Sequence, residues 1–188
     1  MSQAWALVSQ GKMAPYTYWY DHAPGGWIFI AVWTTLTGGF YTFGHSINTG
    51  RVFMLVLHLF STFFIFYIAK RVTKSTIAGS IAALFFSLSP LGLYFQRRVL
   101  LDNMMIFWIL LSYSLLFVQK LQLKHVMLSA VCFGFAVLTK ENAVFFMPGF
   151  LYTLAHFSHQ YHRHFAIIKW ILIVGFLVSL YFLYALLK

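Results

Sequence analysis

Apolar residues run along this chain in long blocks, and polar residues are confined to short breaks between them. The blocks cover about 52–69, 75–95, 103–119, 125–139, 143–157 and 165–187. Several reach the roughly 17–25 residues that a helix needs to cross a bilayer core. An earlier block, 27–44 (WIFIAVWTTLTGGFYTFG), is interrupted by Gly38 and Gly39 and predicts a short membrane helix or an interfacial one. The blocks at 125–139 and 143–157 are short, which predicts tilt, a partly re-entrant course or local thinning of the bilayer. Residues 1–26 predict a short amphipathic segment that leads into an outer loop punctuated by glycine and proline. The fold class expected is therefore all-α: a polytopic transmembrane bundle of about six to seven membrane helices. It forms one membrane domain over 1–188, with its helices in 27–188.

Composition strengthens this reading. The 188 residues are 61% hydrophobic and only 9% charged, with a mean hydropathy of +0.80, more than a soluble domain of this size can bury. The net charge of +10 is not a nucleic-acid signal, because the basic residues stand singly or in pairs between apolar spans. They work instead as topology signals. Lys70, Arg71 and Lys74, then Lys120 and Lys124, then Arg163 and Lys169 fall on one face, which the positive-inside rule makes cytoplasmic. Lys12, Arg51, Arg97, Arg98 and Lys140 fall on the other. The start, MSQAWALVSQGKMAPY, lacks the basic-then-apolar order of a signal peptide. Cys132 is the single cysteine, so an internal disulfide is excluded, and its mid-span position suits a small packing residue.

The acidic residues are three in number, Asp21, Asp102 and Glu141, and all are expected on the non-cytoplasmic face. A carboxylate at the edge of an apolar helix costs a few kcal/mol unless it is paired, hydrated or metal-bound. Two readings stay open. Asp102 and Glu141 can simply be starting helices, where a negative charge complements the dipole. Together with Arg97, Arg98 and Lys140 they can also line one polar site, in which forked guanidinium groups clamp a phosphate and a carboxylate serves as base or metal ligand. Tyr16, Tyr18, Trp19 and Tyr20 fit an interfacial aromatic belt or a platform for a sugar ring. His156, His159, His162 and His164 have the density of a zinc or nickel site but no cysteine or carboxylate beside them. His45 and His58 read as satisfied packing or interface residues. By class, the alternatives to an enzyme are a membrane transporter and a non-catalytic membrane subunit.

One ordered set of motifs narrows the choice. Tyr20-Asp21-His22-x-Pro24-Gly25-x-Trp27 is followed by an apolar helix, then by S-P-L-x-x-Y-x-x-R-R-x-L-L-D-N over 89–103 and L-T-K-E over 138–141. This order resembles the polytopic glycosyltransferases of the C superfamily (GT-C), and within it the protein O-mannosyltransferases and lipid A aminoarabinose transferases. The resemblance implies transfer of a sugar, with inversion, from a polyprenyl-phosphate donor to a lipid, glycan or protein acceptor on the non-cytoplasmic face, in the plasma membrane of a bacterium. By position, Asp21 and Asp102 take the catalytic roles, and Asp21 is also the carboxylate that can hold a divalent metal cation, the one cofactor expected. His22, Arg97, Arg98 and Lys140 approach the donor phosphate, with Glu141, Tyr20 and Asn103 in support. Ala23 departs from the pattern, standing where the family usually has the first proline of a pair. The family's expected base, an aspartate in an Asp-Glu pair after its first membrane helix, falls ahead of Met1. The chain is therefore expected to be an internal piece of a transferase, with little turnover of its own.

Overall fold

The computed structural model describes residues 1–13, 23–157 and 163–186, and its secondary structure there is entirely helical. The chain is an integral membrane protein whose helices pack as a bundle. The elements are α1 (Ser2–Gln10), α2 (Gly25–Leu36), α3 (Ser46–Thr73), α4 (Thr76–Leu88), α5 (Pro90–Gln96), α6 (Leu101–Leu116) and α7 (Leu123–Thr139). A 3₁₀ helix (Glu141–Phe146), α8 (Met147–Phe157) and α9 (Arg163–Leu186) follow. Among them α3 and α9 are each long and apolar enough to cross a membrane alone, and α4 with α5 makes a third span if the bent pair is counted as one. The helices α2, α6 and α7 are apolar but shorter. At 12 residues, α2 is only about 18 Å long.

The expected helix at 75–95 is broken. α4 and α5 meet at 59°, with Ser89 between them. Pro90 has no N–H for the helical ladder, and its ring pushes Ser89 into an extended conformation (φ −56°, ψ 119°). The Ser89 hydroxyl then accepts from the Gly92 N–H at 3.3 Å, which caps the new helix. Hydropathy alone does not show this, because the run is apolar on both sides of the break.

α2 stops where the two glycines require it to. Gly38 and Gly39 have φ values of 92° and 123°, which a side chain rarely tolerates. The chain then doubles back into α3. The Trp33 indole donates to the Thr49 carbonyl at 3.0 Å and stacks on Phe53 at 5.2 Å, and Ile30 packs with Met54 and Leu57, so α2 lies along the first half of α3.

Two buried clusters share α6. Met104 faces Ala4, Ile30, Met54 and Leu57 on one side. Met105 and Ile109 face Phe133, Phe150 and Trp170 on the other. Lipid tails are as apolar as leucine, so such contacts hold helices together through close packing and a few internal hydrogen bonds. One polar node lies within the second cluster: Ser112 Oγ donates to the Ser129 carbonyl at 2.8 Å, and the Trp170 indole reaches Ser129 Oγ at 3.3 Å. It joins α6, α7 and α9. Cys132 is buried in the same region, as expected of a packing residue.

At one end of the bundle the Arg71 guanidinium donates through Nε to the Phe117 carbonyl at 2.9 Å, joining the C-terminal ends of α3 and α6. Their N-terminal ends therefore share the opposite end, where α6 begins with Leu101 and Asp102.

Candidate functional site

At that opposite end α6 starts and α7 stops. Asp102 lies in the first turn of α6, where its charge complements the exposed N–H groups. Lys140 is the residue after α7, in an extended conformation that turns its side chain off the helix axis. Its Nζ lies 2.6 Å from Asp102 Oδ1. The lysine side chain is 17% exposed and the aspartate 43%, so the pair sits at the edge of the packed region. Asp102 thus starts a helix and faces the Lys140 ammonium group.

Asn103 is buried and anchors the loop in front of it. Its amide Nδ2 donates to the carbonyls of Phe95 at 3.2 Å and Arg98 at 3.1 Å, bending the end of α5 back onto α6. The loop holds Arg97 and Arg98 at the surface, both exposed. Arg98 hydrogen-bonds the Tyr94 hydroxyl, and its guanidinium lies over the Tyr94 ring, 4.2 Å from the centroid.

Arg97 and Arg98 line a cleft of about 480 Å³ together with Pro90, Leu93, Tyr94 and Arg51. Arg51 is a residue that motif reading leaves out of the site. Its signal was present in the sequence, as a cation near the start of an apolar helix on the same side as Arg97. Three guanidinium groups in one cleft make a strong anion receptor. Asp102 does not line this cleft. It belongs with Asn103 to a second cavity on the other side of α5, so the arginines and the Asp102–Lys140 pair flank α5 rather than meeting at one point.

Glu141 follows Lys140 and opens the 3₁₀ helix. Its Oε1 accepts from the Ala23 N–H at 2.5 Å, tying the outer loop to the end of α7. A proline at position 23 has no N–H to give, so the departure from the family pattern at Ala23 is what permits this contact. Tyr20, Asp21 and His22 lie outside the described residues, as do His159 and His162. Among the described residues no three His, Cys, Asp or Glu side chains gather as a metal site, and Asp102 is already faced by an ammonium group.

The family model described as dolichyl-phosphate-mannose-protein mannosyltransferase matches residues 21–187. No curated protein and no solved structure matches the chain.

Proposed function

The chain belongs to the dolichyl-phosphate-mannose-protein mannosyltransferase family, membrane glycosyltransferases of the GT-C type, and on that premise we propose that it serves transfer of a sugar from a polyprenyl-phosphate donor to an acceptor hydroxyl at the Asp102 end of the bundle. The observation that carries this reading is the grouping of Arg51, Arg97 and Arg98 in one cleft, one short helix away from the Asp102–Lys140 pair.

In such a transfer the acceptor oxygen attacks the anomeric carbon, the bond from that carbon to the phosphate oxygen breaks, and the configuration inverts. Negative charge grows on the leaving phosphate. Cations fixed in advance near that position stabilise the transition state more than the ground state. Arg97 and Arg98 supply forked donors, Arg51 adds a third, and Lys140 contributes a point charge held by Asp102. Asp102 Oδ1 is engaged by the Lys140 ammonium group 2.6 Å away. Its role is to position Lys140, and the acceptor proton passes to another carboxylate. Asp21 and His22 take the outer-loop roles that the family pattern implies. A divalent cation at Asp21 would add charge stabilisation there, but no step among the described residues runs through it.

The test is release of labelled sugar from polyprenyl-phosphate-linked donors, including mannose, by the protein in proteoliposomes. Substituting Arg97→Ala and Arg98→Ala should lower turnover by about a hundredfold each, the usual loss when one donor to a developing anion is removed. Unchanged release from the double variant would overturn the assignment.

A further inference from the structure

The end of the bundle away from Asp102 is strongly basic and takes no part in the transfer site. There the Arg71 guanidinium holds the Phe117 carbonyl, and the segment 117–122 leads on to α7. Leu116 and Leu121 pack in one apolar cluster with Val126, Ala166 and Trp170. The end of α3, the 117–122 segment and the start of α9 are therefore neighbours. They bring Arg71, Lys120, Lys124, Arg163 and Lys169 to one end, with Lys70 and Lys74 beside them. The described carboxylates, Asp102 and Glu141, both stand at the other end.

Two features exceed what a topology signal needs. Arg163 Nε is buried and has no hydrogen-bond partner. A guanidinium stays charged, so this nitrogen can only donate, and leaving it unmet is unfavourable. Arg163 as a whole is half-buried, so a turn of its side chain brings Nε and a terminal nitrogen to face an acceptor with two oxygens. A phosphodiester fits that fork. The second feature is depth. Lys169 lies about 9 Å along α9 from Arg163, and its ammonium folds back over the Phe165 ring, 4.3 Å from the centroid. That is the posture of a lysine whose stem lies in hydrocarbon and whose charge reaches for the interface. Phe165 and Ile168 beside it are 48% and 55% exposed, as lipid-facing residues are. The cations therefore sit at the level of phospholipid headgroups, with apolar side chains below them to meet acyl chains. A free phosphate gains nothing from those side chains, and a nucleic acid cannot follow Lys169 below the surface.

We propose that this end of the bundle binds an anionic phospholipid, its headgroup phosphate held by Arg163 with Lys120 and Lys124 close by. Each lysine or arginine near an anionic bilayer surface favours it by about fivefold. A zwitterionic headgroup brings its own cation into this basic surround, so the site selects by net charge.

The experiment uses the full chain in phosphatidylcholine nanodiscs, with a bimane-labelled Gln119→Cys in the exposed part of the 117–122 segment. Phosphatidylglycerol and phosphatidylcholine of matched chains, each with a doxyl group near the head, are titrated as quenchers. Half-quenching should need about tenfold less of the anionic lipid. Arg163→Gln should cut that preference to about twofold, and Arg163→Lys, which keeps the charge but not the planar fork, should fall between. Lys70→Gln removes the same charge on the face of α3 that packs against Gly79 of α4, and should change the preference by less than twofold. Equal quenching by the two lipids would overturn the proposal. So would equal losses in Arg163→Gln and Lys70→Gln, which would leave a diffuse charge that serves topology alone. Displacement of the anionic lipid by glycerol phosphate at constant ionic strength would point to a soluble anion and overturn it too. Should Arg163→Gln fold poorly, Lys120→Gln with Lys124→Gln, both exposed, gives the same test and should bring the preference to twofold or less. The readout is lipid contact and not sugar transfer, so its result stands apart from the transferase reading.

Discussion

Lys140 Nζ sits 2.6 Å from Asp102 Oδ1, so the end of α7 and the start of α6, 38 residues apart in sequence, are joined by one ion pair. Asp102 is 43% exposed, so the pair adds about 1 kcal/mol or less to stability. Its value is geometric. Lys140→Met should lower turnover by about a hundredfold, and Asp102→Asn by about tenfold, because the ammonium group remains but is no longer held. Neither should shift thermal unfolding by more than a few degrees. The exchange Asp102→Lys with Lys140→Asp re-forms an ion pair but sets both charges against the helix ends, so it should restore neither full stability nor turnover, which rate and melting measurements on the same samples would show.

Arg51 belongs to the same functional test as Arg97 and Arg98. Arg51→Ala should weaken polyprenyl-phosphate binding by about tenfold, in line with the loss of one charge-assisted hydrogen bond. Tyr94→Phe removes the hydroxyl bonded to Arg98 but keeps the ring beneath the guanidinium. Its effect should be smaller, about threefold, since part of the orientation survives. Equilibrium binding in nanodiscs checks both, and equal losses for Tyr94→Phe and Arg98→Ala would refute the ring's share.

Ala23→Pro should break the contact to Glu141. The lost hydrogen bond to a carboxylate is worth about 1.5–3 kcal/mol where it is partly buried. Because Glu141 is exposed at the surface, the lower end of that range is expected. Glu141→Gln keeps an acceptor and should cost less. Chemical unfolding of the detergent-solubilised protein would rank the two, and an unaltered midpoint for Ala23→Pro would show that the loop is held by other contacts.

Thr73 and Asn142 lie at opposite ends of the bundle, and both are exposed. Cysteines placed there should label from opposite sides of the membrane, with Thr73 on the cytoplasmic side by the charge rule. Cys132 is 5% exposed and adds little background. Labelling of both positions from one side would remove the basis for a site at the Asp102 end.

Much of the bundle was legible in the pattern of apolar blocks, since length and hydropathy follow directly from the thickness of the bilayer. The starts of helices were less so. α3 begins at Ser46, six residues ahead of its apolar run at 52, because Thr49 finds the Phe40 carbonyl at 2.7 Å and Arg51 faces the cleft. Polar residues there look like loop until their partners are known. The break at Pro90 sits in a run whose hydropathy does not change, so only the chemistry of the proline marks it. In the site, Asp102 and Lys140 stood out by rarity of charge, and Asn103 by its neighbours. Arg51 did not, since its meaning depends on which helices pack beside it. The outer-loop residues Tyr20, Asp21 and His22 remain sequence expectations.

The node formed by Ser112, Ser129 and Trp170 bears on the opposite end of the molecule. Helices packed only by hydrocarbon contacts can slide or roll against one another at low cost, because a lipid-filled gap is nearly as favourable as a side-chain contact. A shift of one residue along a helix moves a side chain by about 1.5 Å and rotates it by about 100°. For α6 and α7, such a shift would swing Asp102 and Lys140 out of reach of each other. The serine pair and the indole tie α6, α7 and α9 together in this registration, and a neighbouring one gives up those interhelical bonds. They favour, from deep in the bundle, the rotation of α6 and α7 at which Asp102 and Lys140 meet.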